Sequence, residues 1–197
     1  MYKFDHDWFS SNIPNLTRLF AGFKGDSPPE ILEIGAFEGR SAVWFLDNVP
    51  DCKVTTIDTW KGGKDHDPEN PEINWKTVEE NFKHNIKEFS NRVKYYPFDS
   101  YTALSLLNAT HKKIFDFVYV DGSHTAADVN LDLILSFRLL KTGGLIYCDD
   151  YLWGFNEFPI YDCPKLGIDS FVNVYADKLT PLQGFTNNAA IYMKVKE

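Results

Sequence analysis

Short apolar runs alternate with amphipathic stretches along the whole chain. Ile31–Ile34, Lys53–Asp58, Arg92–Tyr96, Ile114–Val120 and Leu145–Cys148 read as strands. Between them, apolar residues recur at helical spacing: Val43, Phe45, Leu46 and Val49 up to Pro50, then Trp75, Val78, Phe82, Ile86 and Phe89. A further helix carries Val129, Leu133, Phe137 and Leu140 on one face, with Gly143-Gly144 predicted to close it. Ile168, Phe171, Val172 and Tyr175 mark another. An N-terminal helix is predicted over Asp7–Phe23, its apolar members Trp8, Ile13, Leu16, Leu19, Phe20 and Phe23 packing on the sheet or covering its ligand edge. Leu179–Phe185 and Ala189–Val195 read as a terminal strand pair joined by Asn187-Asn188. Strands alternating with helices predict an α/β fold with a doubly wound, mostly parallel sheet. Ile114–Val120, apolar except for Asp116, has the pattern of a central strand covered on both faces.

The stretch Ile31-Leu-Glu-Ile-Gly-Ala-Phe-Glu-Gly-Arg-Ser-Ala-Val organises the rest. A strand runs into a turn bracketed by Gly35 and Gly39, and a helix starts at Arg40. Such a turn aims backbone N–H groups at a polar ligand on the carboxyl edge of a sheet. The spacing is Glu-x-Gly-x-x-x-Gly, and neither G-x-G-x-x-G nor a phosphate-binding G-x-x-x-x-G-K-[ST] is present. Glu33, two residues before the first glycine, would repel a pyrophosphate and favour a cationic amine. A ligand with an amino group and no phosphates fits, as at the methionyl end of S-adenosylmethionine (SAM). Gly35, Ala36, Gly39 and Ser41 belong to this candidate site. Asp58 ends the second strand about 20 residues on, where doubly wound nucleotide binders place an acid on the ribose hydroxyls. Its plainer role is to cap the loop that follows.

Composition narrows the class. The chain has 197 residues, 44% of them hydrophobic, enough for one domain with a full core. The N-terminal 1–27 form a helical cap in this reading. Net charge is −8 and no basic run occurs, which argues against a nucleic-acid partner. Cys52, Cys148 and Cys163 are scattered and give neither a disulfide framework nor a zinc site. No leader pattern and no apolar run of membrane-spanning length is seen, so a soluble chain in the reducing cytoplasm, off the membrane, is expected. The Asn15 and Asn108 glycosylation patterns are then chance matches. Oligomeric state is left open, a homo-oligomer included.

The loop 59–74 is polar, Gly/Pro-rich and longer than a connection needs, a candidate lid. Asp65, His66 and Asp67 within it are adjacent and ill placed to converge on one ion; a solvated loop is the simpler reading. Trp60 is a candidate neighbour of the adenosine. Asp99 and Ser100 open a helix, where either caps. Asp121 follows the central strand, and Asp149 and Asp150 follow the next. Three carboxylates at one sheet edge repel each other unless protonated, hydrogen-bonded or neutralised by a cation. All-oxygen ligation suits Mg²⁺ or Ca²⁺. His124 has a side chain suited to general-base work near neutrality, its plainer role being packing or capping. Tyr151–Pro164 is irregular and rich in aromatics, placed to wall an acceptor pocket or simply to pack.

The chain resembles the class I SAM-dependent methyltransferases, and among them small metal-dependent O-methyltransferases of the catechol and macrolide-sugar types. The resemblance is carried by Ile31–Val43 and, more weakly, continues to about Tyr151. It implies a Rossmann-like seven-stranded sheet whose last strand inserts antiparallel. It also implies that Asp99 and Ser100 lie by the adenine and that Asp121, Asp149 and Asp150 hold Mg²⁺. In the catechol enzyme the last of these is Asn, so this chain carries more negative charge. His124 stands where that enzyme has its catalytic Lys, with Asp121 as a second candidate base.

The reading is therefore a SAM-dependent methyltransferase acting on a hydroxyl of a small molecule, assisted by a divalent cation. Its rivals are a metal-free N- or O-methyltransferase and a non-catalytic methyltransferase-like partner subunit. A nicotinamide-dependent dehydrogenase is disfavoured by the glycine spacing.

Overall fold

The computed structural model describes residues 1–23, 27–63, 73–185 and 188–197. Most of the candidate lid, including Asp65, His66 and Asp67, lies outside the described residues, as does Asn187. The elements are α1 (Ile13–Ala21), β1 (Glu30–Ile34), α2 (Arg40–Asn48), β2 (Lys53–Ile57), α3 (Trp75–Asn85), β3 (Val93–Tyr96), α4 (Ser100–Thr110), β4 (Phe115–Val120), α5 (Ala126–Leu139), β5 (Leu140–Cys148), α6 (Pro164–Val174), β6 (Leu179–Pro181) and β7 (Ala190–Lys194).

They build one seven-stranded sheet in the order β3-β2-β1-β4-β5-β7-β6. β1 to β5 are parallel, and β7 inserts antiparallel between β5 and β6. This is the expected Rossmann-like sheet with an antiparallel last strand. Helices cover both faces because the inner strands are apolar on both sides. Leu32, Ile34, Val118, Val120 and Ile146 face Leu104, Leu107, Leu133, Phe137 and Phe171 of α4, α5 and α6. Ile31, Phe117, Tyr119 and Tyr147 face Leu16, Leu19, Phe45 and Leu46 of α1 and α2. Strand order reverses between β1 and β4, which makes their carboxyl ends the switch point where ligands bind in such sheets.

The predicted elements differ from the structure in several places: β6 is shorter than Leu179–Phe185, α3 ends at Asn85 before a 3-10 turn over Lys87–Phe89, and two further differences lie in α1 and α5. The N-terminal helix is shorter: a 3-10 turn over Ser10–Asn12 leads into α1, and Trp8 is exposed. Gly143-Gly144 does not close α5. The helix ends at Leu139, Leu140 already pairs with Phe115, and the glycines sit inside β5 where its register on β4 shifts. A Cβ at Gly144 would press on the Asp116 carbonyl, so the glycine permits the irregular pairing.

Candidate active site

The glycine turn is built on its own backbone first. Gly35 and Gly39 have φ of +85° and +79°, conformations that L side chains rarely adopt. A Cβ on Gly35 would run into the Asp121 backbone carbonyl, and one on Gly39 would lie 2.8 Å from Phe82. The missing side chains thus face protein: they let the β1–α2 and β4–α5 turns meet and let α3 pack close. The turn is held from β2 by Asp58, whose Oδ2 accepts the N–H of Ala36 and of Phe37 at 2.8 Å each while Oδ1 accepts the Trp60 N–H at 2.7 Å. Asp58 is a loop cap in this structure, and the two N–H groups expected to face a ligand point at it.

Trp60 packs under the turn. Its indole is buried against Phe82, 4.7 Å between ring centroids, and donates its N–H to the Phe37 carbonyl. It props the turn from beneath. Glu38, inside the turn, is buried and accepts from the backbone N–H of Asp5 and His6 and from Asn81, so the N-terminal arm is stitched over α2 and α3.

Glu33 is fully buried on the α1/α2 face of β1. The Thr56 hydroxyl donates to its Oε2, and Oε1 has no hydrogen-bond partner among the described residues. Burial pushes its pKa up to about 7; the Ser41 and Thr56 hydroxyls oppose this and the charge of Asp58 adds to it. An acid buried with an unanswered oxygen fits a ligand ammonium.

Asp99 caps α4, accepting from the Thr102 N–H and hydroxyl at 2.8 Å each. These bonds hold its carboxyl below the usual range. Ser100 hydrogen-bonds Asp132, a buried acid of α5 that sequence reasoning passed over, whose pKa burial lifts to about 7.

The acidic edge forms as predicted at the ends of β4 and β5, because their parallel register sets Val120 beside Cys148. His124 stands among its acids. Asp121, His124 and Asp150 each bring a ligand atom within 4.8 Å of the others. Asp149 is turned below them: its Oδ2 accepts from the Tyr119 hydroxyl and from Asn12 Nδ2 at 2.5 Å each, and its Oδ1 accepts the Asp150 N–H at 2.9 Å. Burial, then the charges of Asp149 and Asp150, push Asp121 well above the usual carboxylate range, with His124 opposing. Burial and Asp150 lift Asp149 to about 6 against its three hydrogen bonds. Crowded anions of this kind fit a cation. His124 Nε2 lies 3.2 Å from Asp150 Oδ2, and its ring stacks on Trp153 at 4.2 Å, while Phe158 stacks on the same indole at 5.3 Å. The aromatic segment after Asp150 therefore does cover the acidic edge.

A cavity of about 540 Å³ lies at the opposite edge of the sheet, between the ends of α1 and α2 and residues 27–29. Among the described residues no titratable group lines it; at the carboxyl edge a cavity of about 10 Å³ opens between Val120 and Pro164.

Sheet order, glycine turn and carboxyl-edge acids together define a doubly wound α/β fold with a candidate ligand site at its carboxyl edge. The model of a methyltransferase-domain family matches residues 32–151, more than half of the chain, and the chain belongs to that family. No curated protein sequence matches it. Among solved structures it is similar to the O-methyltransferase from Bacillus cereus in complex with SAH, at 17% identity and a TM-score of 0.69 over 97% of this chain and 83% of that one. It is similar also to the O-methyltransferase TomG from Streptomyces achromogenes, involved in tomaymycin synthesis and in complex with SAM. There the identity is 19% and the TM-score 0.65, over 92% of this chain and 77% of that one. MycE methyltransferase from the mycinamycin biosynthetic pathway, in complex with Mg, SAH and mycinamycin VI, gives 17% and 0.65 over 98% of this chain and 51% of that one. At these identities the likeness carries the fold.

Proposed function

We propose that the chain moves a methyl group from SAM to a hydroxyl of a small molecule, with a divalent cation, Mg²⁺ or Ca²⁺, at the acidic edge. The observation that carries this reading is the pairing of an unanswered buried acid, Glu33, with converging Asp121, His124 and Asp150 at one switch point. SAM supplies an electrophilic methyl and a cation supplies positive charge that acidifies a nearby hydroxyl. Glu33 pairs with the amine, and the turn Gly35–Gly39 with Ser41 shapes the methionyl end. Asp58 fixes the turn and stands by the ribose, and Asp99 and Ser100 flank the adenine. Asp121, Asp149 and Asp150 are the cation's oxygen donors. His124, oriented by Asp150, takes the proton of the acceptor hydroxyl, with Asp121 as the second candidate. Orientation of acceptor against methyl and stabilisation of developing charge supply most of the rate. Trp153 and Phe158 offer an apolar wall, which favours an acceptor with one apolar face.

Similar folds reported with SAH, SAM or Mg support this reading. Three buried free thiols suit a reducing compartment, which supports a cytoplasmic place. The test is calorimetric titration with SAH, then Mg²⁺, then EDTA, on the parent and on Asp58→Ala and Asp121→Asn. Expected are SAH binding lost in Asp58→Ala and a Mg²⁺ heat lost in Asp121→Asn. SAH binding with no cation heat would leave a metal-free methyltransferase. No SAH binding would leave a partner subunit.

A further inference from the structure

α1 reaches the acidic edge through a chain of buried side chains. Asn15 Nδ2 donates to the Tyr147 hydroxyl at 3.2 Å, and that hydroxyl donates to Asn12 Oδ1 at 2.8 Å. The Asn12 amide is thereby oriented, and its Nδ2 donates to Asp149 Oδ2 at 2.5 Å and to the Tyr119 hydroxyl at 3.2 Å. Tyr119 gives its one hydrogen to the same Asp149 oxygen, since Asp121 Oδ2 at 3.5 Å is too far to compete. Every hydrogen in the chain points toward Asp149 Oδ2. Asn12 and Asn15 are 2% and 5% exposed, and Tyr119 and Tyr147 are fully buried, so water does not substitute for any of these bonds.

A polar chain through an otherwise apolar face is costly unless fully satisfied, and when satisfied it fixes the groups that it joins. This one gives the two oxygens of Asp149 different work. Oδ2 is taken by the layer beneath, which leaves Oδ1, bonded among the described residues only to the Asp150 N–H, as the oxygen available to the edge.

Resting on the proposed cation site, we infer that Asn12 and Tyr119 are positioning residues that hold Asp149 as a one-oxygen ligand, making the N-terminal helix part of the active site. Partners of this kind behind a metal ligand change cation affinity by about 10–100-fold when removed.

The experiment uses the full chain saturated with SAH and follows uptake of Mn²⁺ by electron paramagnetic resonance of the free ion. Asn12→Leu keeps the side-chain volume and Tyr119→Phe removes only the hydroxyl. Both should weaken Mn²⁺ about 10–100-fold while SAH affinity stays within about twofold. The double variant should cost less than the product of the two, because both act through one oxygen. A general packing defect would move SAH affinity and Mn²⁺ affinity together. Tyr119→Phe decides the matter if Asn12→Leu does not fold. Unchanged Mn²⁺ affinity in a folded variant overturns the inference and leaves the cation site standing. A parent that takes up no Mn²⁺ overturns the cation site and the inference with it.

Discussion

Glu33→Gln should raise the stability of the ligand-free protein at pH 8 while weakening its grip on the cofactor. Glu33 is fully buried with one oxygen unanswered, and its pKa is about 7 in the folded chain against 4.5 for a free glutamate. Below pH 4.5 the residue is protonated folded or unfolded, and its neutral form contributes fully to stability. As the pH rises through about 7 the folded chain must give up a proton that the unfolded chain has already lost, and stability falls. An interval of 2.5 pH units corresponds to about 3 kcal/mol. Glutamine does not titrate, so variant and parent should be nearly equal at pH 4.5 and differ by up to about 3 kcal/mol at pH 8. For a chain of this size that is a rise of about 6–12 °C in Tm. A buried amide N–H without a partner takes back about 1 kcal/mol or more. The assay is thermal unfolding at both pH values, with SAH calorimetry alongside. Saturating SAH should narrow the gap at pH 8, because its ammonium stabilises the parent's carboxylate. A variant no more stable than the parent at pH 8 would refute the bare buried acid. A variant that binds SAH as well as the parent would refute its assignment to the amine.

Three more outcomes follow from particular contacts. Gly35→Ala must adopt positive φ and push the Asp121 backbone aside, so a loss of at least about 1–2 kcal/mol in urea unfolding, with loss of SAH binding, is expected. Asp58→Ala leaves the Ala36, Phe37 and Trp60 N–H groups without their acceptor, at about 1 kcal/mol each, and should loosen the turn as read by faster amide exchange there. Leu133→Ala, in the fully buried α5 face, should cost about 2–5 kcal/mol in denaturant unfolding yet leave SAH affinity unchanged in the protein that remains folded.

The sheet was legible because its inner strands are buried on both faces and appear as unbroken apolar runs. Helix starts were legible where a cap is local, as Asp99 is to Thr102. Gly143-Gly144 misled because a glycine pair after an apolar stripe looks alike at a helix end and at a strand irregularity; only the pairing of Leu140 with Phe115 separates the two. In the site, Asp58, Asp121, Asp149 and Asp150 could be picked out by their place at strand ends, which is a property of sequence order. What each does there is not. Asp149 is claimed by Asn12, 137 positions away, and Trp60 is drawn under the turn by Phe82, so neither assignment leaves a local pattern. The one trace of this layer was chemical: Tyr119 and Tyr147 carry hydroxyls on inward positions of apolar strands, and a buried hydroxyl needs a partner. Following that requirement leads from each tyrosine to Asn12, and from Asn12 to the acid it holds. The acids alone therefore understate the site, whose lower half is contributed by a helix that the spacing of its apolar residues marks only as packing.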